Sequence, residues 1–171
     1  MRKSLLIMFL LFAAGITANA QKFTLIDMEY ILKNIPAYQS ASNELNQVSK
    51  QWQNEVEKLG KEAKSLYDSY QASVKTLSDA QKTKKEEEIV AKEKSAAELR
   101  RKYFGPEGEL AKMRDKLITP IQDDIYEAVK AISQQHGYDM VIDRASATGI
   151  IFANPRIDIS DEILRRLGYS N

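Results

Sequence analysis

The chain has 171 residues, with 25 Lys plus Arg against 24 Asp plus Glu, one His and no Cys. A charge this balanced argues against a polyanion such as nucleic acid as partner, for which a strongly basic face is expected. Without cysteine there are no disulfides, no thiolate catalysis and no Cys-ligated metal, so packing alone must hold the fold, and apolar residues spread along helices favour oligomerisation.

Arg2 and Lys3, the apolar run Leu5 to Ala14 and the small residues Ala18-Asn19-Ala20 form an export leader with a cleavage box. The run is too short for a permanent span, which needs roughly 20 apolar residues, and no Cys follows it to carry a lipid anchor. Residues 1–20 are therefore read as a signal peptide and Gln21 as the first mature residue. Loss of Arg2 and Lys3 leaves 23 basic residues against 24 acids, a formal charge of −1.

Phe23-Thr24-Leu25-Ile26 is a short β-rich run, and Asp27 is the N-cap for a brief helix from Met28 to Asn34. Pro36 pushes Ile35 out of helical geometry. From about Tyr38, the residues Leu45, Val48, Trp52, Val56, Leu59, Ala63, Leu66, Tyr70, Val74 and Leu77 recur at steps of three and four. That is one apolar stripe on a continuous helix, close to a heptad seam, ending near Thr76. Ser78-Asp79-Ala80-Gln81 is a capping box for the next helix. A stop followed at once by a start predicts a reversal, with the two helices packed antiparallel. At roughly 1.5 Å per residue, Tyr38 to Lys75 makes an arm of about 55 Å.

The returning helix is charged from Lys82 to Lys94, and Phe104-Gly105-Pro106-Glu107-Gly108 breaks it. Beyond the break, Leu110, Met113, Leu117, Ile121, Ile125, Ala128 and Ile132 resume the stripe, with a kink or local end expected at Pro120 and a left-handed stop at Gly137. Tyr138–Asp143 and Gly149–Ala153 read as strands around the polar loop Arg144 to Thr148. Ser160-Asp161-Glu162 opens a last helix, Ile163 to Leu167, stopped by Gly168. Strands at both ends imply that the ends meet. The fold class expected is mainly α with a small β part. A long antiparallel helical hairpin (residues 38–117, tip near 75–79, break at 104–108) projects from a strand-containing oligomerisation base (22–37 with 118–170).

No catalytic constellation is present. His136 stands alone at a helix end, Asp123 and Asp124 lie on a helix face, and Asp158, Asp161 and Glu162 are accounted for by helix-start electrostatics. No glycine loop cradles a phosphate. Neither an enzyme nor a cofactor is expected. The reversal gathers Lys75, Lys82, Lys84 and Lys85 against Asp79, which reads as a solvated turn or an anion-binding tip. Trp52, Tyr67, Tyr70, Tyr103 and Phe104 read first as seam packing, yet a two-helix arm has no third layer, so groups off the seam stay reachable by another chain.

Three segments carry a family resemblance: Phe23-Thr24-Leu25-Ile26-Asp27-Met28, Gly137-Tyr138-Asp139-Met140-Val141-Ile142-Asp143, and Asp158-Ile159-Ser160-Asp161-Glu162-Ile163-Leu164. With Leu117-Ile118-Thr119-Pro120-Ile121 they make the chain similar to the Skp/OmpH family of periplasmic chaperones over essentially its whole mature length. The resemblance implies a periplasmic homotrimer that holds unfolded outer-membrane proteins, without ATP, in a cavity between three arms. It implies subunit contacts through Phe23, Leu25, Val141, Ile142, Ile150 and Ile151, and an arm interior facing the client, with Trp52, Tyr67, Tyr70, Tyr103 and Phe104 as the candidate client contacts. A peripheral contact with a membrane surface is a further expectation. The reading from another class is a structural coiled-coil adaptor binding one folded envelope partner.

Overall fold

A computed structural model describes residues 21–169; the leader expected over 1–20 lies outside them. Strand β1 (Phe23–Ile26) leads into α1 (Met28–Lys33), where the Asp27 carboxylate accepts the Tyr30 N–H at 2.8 Å, the N-cap bond its position demands. Ile35 is extended (φ −101°, ψ 109°), and α2 then runs without interruption from Pro36 to Ser73. The long helix thus begins at the proline itself, two residues before Tyr38. A proline at the first helical position loses no hydrogen bond, because that N–H has no partner in any helix.

One 3-10 turn, Val74–Thr76, closes α2, and extended Leu77 turns the chain. Ser78 caps α3 (Asp79–Phe104) through a full capping box, with the Ser78 N–H donating to Gln81 Oε1 at 2.9 Å and the Gln81 N–H donating to Ser78 Oγ at 3.4 Å. Gly105 ends α3, and α4 (Glu109–His136) begins after Gly108. Both glycines are required by contact, not by dihedral angle. A methyl at Gly105 would meet the Arg101 carbonyl oxygen, and one at Gly108 would lie 2.8 Å from the Tyr103 carbonyl oxygen. Replacing both by Ala is therefore expected to force the 105–108 joint into a different geometry. If the joint is a hinge, small-angle scattering should report a narrower spread of shapes; an unchanged spread about the new geometry would mark the break as a passive insertion.

Helix α4 passes straight through Pro120, so the local end expected there does not occur. Proline removes one backbone bond, and Ile118 and Ile125, buried on either side, hold the helix through the defect. Gly137 follows in the left-handed region (φ 69°) and delivers β2 (Met140–Asp143). The two strands pair in parallel, Phe23 with Met140 through Ile26 with Asp143. Parallel neighbours need a long crossover, and here the whole hairpin is that crossover.

The expected strand Gly149–Ala153 is absent. The free edge of β1 is already occupied by the chain's own C-terminal segment: Ile159 N donates to Leu25 O at 2.9 Å, Thr24 Oγ1 donates to Ile157 O at 2.5 Å, and Leu25 bridges to Asp158. No strand of the described residues pairs along the outer edge of β2. A 3-10 turn (Pro155–Ile157) and α5 (Ser160–Arg166) complete the fold. The core lies where the chain ends meet, with Ile26, Ile31, Ile35, Ile125, Ile132, Ile159, Ile163 and Leu164 all buried. None of the helices described is long and apolar enough to cross a membrane.

Candidate functional site: an uncovered apolar face at the base

Alternation along a strand sends residues to opposite faces. Ile26 and Val141 turn inward and pack with the core formed by α1, α4 and α5. Phe23 and Leu25, with their register partners Met140 and Ile142, share the other face. Phe23 is 58% and Met140 59% exposed, Ile142 is half-buried and Leu25 is buried within the protomer. Beside this sheet in the chain order, Ile151 is fully exposed (102%) and Phe152 nearly so (84%), while Ile150 is half-buried. Of the six residues expected at subunit contacts, Phe23, Ile142, Ile150 and Ile151 are accessible to some degree. Val141 is half-buried and packs toward the core, and Leu25 is covered within the protomer. Met140 and Phe152 were missed by sequence reasoning. Their signal was present: each continues the two-residue alternation or the apolar run of its neighbours.

The face is held by a polar frame that ties the two chain ends together. Arg144 donates to Asp27 Oδ2 from Nε and Nη2 at 3.1 and 3.0 Å, and its Nη1 lies 3.4 Å from Asp158 Oδ2. Asp158 in turn accepts the Ser160 N–H and hydroxyl, and Ser160 Oγ accepts the Asp27 N–H at 2.8 Å. Asp161 and Glu162, like Asp158, have structural partners. Asp161 accepts the Tyr30 hydroxyl at 2.8 Å, and Glu162 lies 3.0 Å from His136 Nε2. Asp123 and Asp124 are exposed on α4.

Burial alone would push the Asp143 carboxyl up. The Met28 and Ala145 N–H groups together with Ser146 outweigh it and hold the carboxyl below its ordinary value. A depressed folded-state value stabilises the fold above the ordinary carboxylate range, and that contribution is lost as pH falls through the folded value. Asp143→Asn is accordingly expected to cost about 1 kcal/mol at neutral pH. The gap should begin to narrow as urea titrations are taken below about pH 4 and close once the pH is below the folded-state value; a gap that does not narrow on acidification would contradict the assignment.

The arm aromatics divide in two. Trp52 and Tyr103 stack across the seam with ring centroids 4.5 Å apart, and Tyr103 also donates to Glu55 Oε2 at 2.8 Å. Tyr70 is buried and donates to Glu86. Those bonds to carboxylates hold both phenols above their ordinary value. Lys92 ties the same seam to Glu62 at 2.8 Å and holds that carboxyl below its ordinary value. Trp52, Tyr70 and Tyr103 thus set the register of the hairpin. Tyr67 (49% exposed) and Phe104 (37%) stay on its surface. At the tip, Lys82 pairs with Asp79 at 3.2 Å and is half-buried, as is Lys85, while Lys75 and Lys84 are exposed. Glu86, Glu87 and Glu88 follow within a turn, so the reversal carries both signs of charge.

A small β-containing base with an open apolar face, bearing a polar-seamed two-helix arm, defines a helical-hairpin protein built to bind through surfaces. The chain belongs to the OmpH-like family: the family model described as outer membrane protein (OmpH-like) matches residues 22–167. It is similar to the chaperone protein Skp of Yersinia enterocolitica, 24% identical over 157 residues that cover 91% of each chain. The chaperone protein Skp of Photorhabdus luminescens is likewise 24% identical, over 160 residues covering 92% of each. The crystal structure of an OmpH-like outer membrane chaperone from Caulobacter crescentus superimposes with a TM-score of 0.62 at 13% identity, covering 86% of this chain and 84% of that one. The fold is therefore the OmpH-like fold.

Proposed function

We propose that this protein is an ATP-independent holdase of the periplasm that keeps unfolded outer-membrane proteins from aggregating. The observation that carries the reading is the exposure of large apolar side chains in the base: Phe23 and Met140, register partners on one face of the sheet, and Ile151 and Phe152 in the segment that follows β2. Apolar side chains this exposed on a chain with 29% charged residues support a reading in which another chain covers them. In this reading residues 22–37 and 118–170 form the base and join three copies into a homotrimer, and residues 38–117 form arms around a cavity. The names of the relatives supply the client class, outer-membrane proteins.

The client is held by many shallow contacts. Tyr67, Val90 and Phe104 are exposed along an arm whose remaining surface is charged with both signs. Weak contacts from three arms add up through high effective concentration in the cavity. The experiment is to dilute an unfolded β-barrel protein with and without the mature chain. Suppressed light scattering at a threefold protomer excess is the expected result, and unchanged aggregation would overturn the holdase reading. Multi-angle light scattering of the mature protein alone should give the mass of three chains. A monomer at micromolar concentration would remove the cavity.

A further inference from the structure

The sheet is extended by a reciprocal pair of hydrogen bonds at its open end, and the residue that makes them is next to the expected cleavage point. Asp139 N donates to Lys22 O at 2.7 Å, and Lys22 N donates to Asp139 Oδ2 at 3.0 Å. The acceptor of the second bond is a side chain, so a carboxylate is held beside the first backbone nitrogens of the expected mature chain. Three covalent bonds keep the Gln21 nitrogen within about 4 Å of the Lys22 nitrogen. Gln21, Lys22 and Asp139 are all exposed. Among the described residues, no Lys, Arg or His side chain pairs with Asp139.

We propose that removal of the leader completes this corner of the sheet: the α-ammonium freed at Gln21 forms an ion pair with Asp139. The unprocessed chain carries a neutral amide at the same nitrogen and lacks that pair. A signal peptidase supplies the group by adding water across the Ala20–Gln21 amide. The acyl carbon departs with the leader as the Ala20 carboxylate, and the nitrogen stays on Gln21 and takes up a proton. The pair adjoins the Phe23–Met140 register that begins the apolar face, so processing fixes the end from which that face is built. A competing reaction is specific to glutamine at this position. An unprotonated α-amine attacks its own side-chain carboxamide, closes a lactam and releases ammonia. Pairing with Asp139 keeps the amine protonated and opposes that closure.

The test uses the chain beginning at Gln21, the chain beginning at Ala18, and Asp139→Asn in each. The asparagine side chain still accepts the Lys22 N–H, so only the charge is lost. With Asp139 present, the three extra residues are expected to lower the thermal midpoint by about 1–3 °C. In the Asp139→Asn background, the two lengths should melt together. The intact mass of protein recovered from an exporting cell should correspond to Gln21 with a free amine. An equal effect of the extension in both backgrounds, a lactam at residue 21, or a mature N-terminus elsewhere would overturn the proposal.

Discussion

Ile125→Ala is expected to remove about 2–5 kcal/mol of stability, whereas Leu66→Ala on the arm should cost only about 1–1.5 kcal/mol. Ile125 has no exposed surface and sits in the cluster where β1, α1, α4 and α5 converge. Truncation there leaves a cavity that elements from both ends of the chain cannot close without moving together. Leu66 is half-buried in a seam only two helices deep, and its neighbours can settle toward the gap. Set against a typical total of about 5–15 kcal/mol, the first change removes a large fraction. It should lower the thermal midpoint by roughly 5–15 °C for a chain of this size. Both variants should be melted at one protomer concentration, because association makes the midpoint concentration-dependent. If Leu66→Ala cost as much as Ile125→Ala, stability would reside in the arm and the base could not be its anchor.

This division of labour is visible in how the residues are used. α3 buries only Ile89, and its seam-facing side includes Lys82, Lys85 and Lys92, half-buried at steps that match the apolar stripe of α2. Lysine stems can lie along apolar surface while their charge stays in water. The seam therefore sets register through Tyr70–Glu86, Glu62–Lys92 and Tyr103–Glu55 more than it contributes burial. In the base, by contrast, hydrogen bonds join residues more than 110 positions apart, such as Asp27 to Arg144 and to Ser160. The base forms only once the two ends of the chain have met. Closing so long a loop is entropically costly and slows folding.

The features legible in the sequence were those set by neighbours in the chain. The Asp27 cap, the Ser78–Gln81 box, the left-handed Gly137 and the stripe from Leu45 to Tyr70 all depend on spacings of a few residues, and all appear where the pattern puts them; only the last two stripe positions, Val74 and Leu77, fall beyond the helix. What misled was chemistry decided at a distance. Gly149–Ala153 has strand composition, but composition does not supply a pairing partner: the 157–159 segment takes the second edge of β1, and among the described residues the outer edge of β2 stays unpaired. The alternation Met140-Val141-Ile142 showed that successive side chains part company, yet gave no means of telling which of them faces the core. That choice is made by α4 and α5, whose Ile132 and Ile163 contribute to the core against which Val141 packs. Pro120 reads as a break in isolation, and burial of Ile118 and Ile125 outweighs it.

A pair of substitutions at the most exposed apolar residues of the base, Ile151→Asp with Phe152→Asp, is expected to convert the proposed trimer to monomers without unfolding the base. Ile151 and Phe152 touch almost nothing in their own chain, so the cost to the monomer should stay within about 0.5 kcal/mol. In an assembly the same side chains are desolvated, and a carboxylate placed there has no partner cation to offset its burial. Central aromatic and aliphatic anchors of an interface are each worth about 2 kcal/mol or more. With only one such anchor counted per contact, the loss recurs three times in a ring of three copies, which brings it to at least about 6 kcal/mol and weakens association by roughly 10⁴-fold or more. Sedimentation velocity at micromolar concentration should then show one slow species, with far-UV dichroism unchanged. Val90→Asp serves as the control, since Val90 is 61% exposed but lies on the arm, and it should leave the mass of the assembly intact. A double-Asp variant that sediments like the parent would place the subunit contacts elsewhere and return these residues to the client. Loss of assembly together with holdase activity, in a chain that still melts cooperatively, would show that capture requires the arms to be brought together by the base.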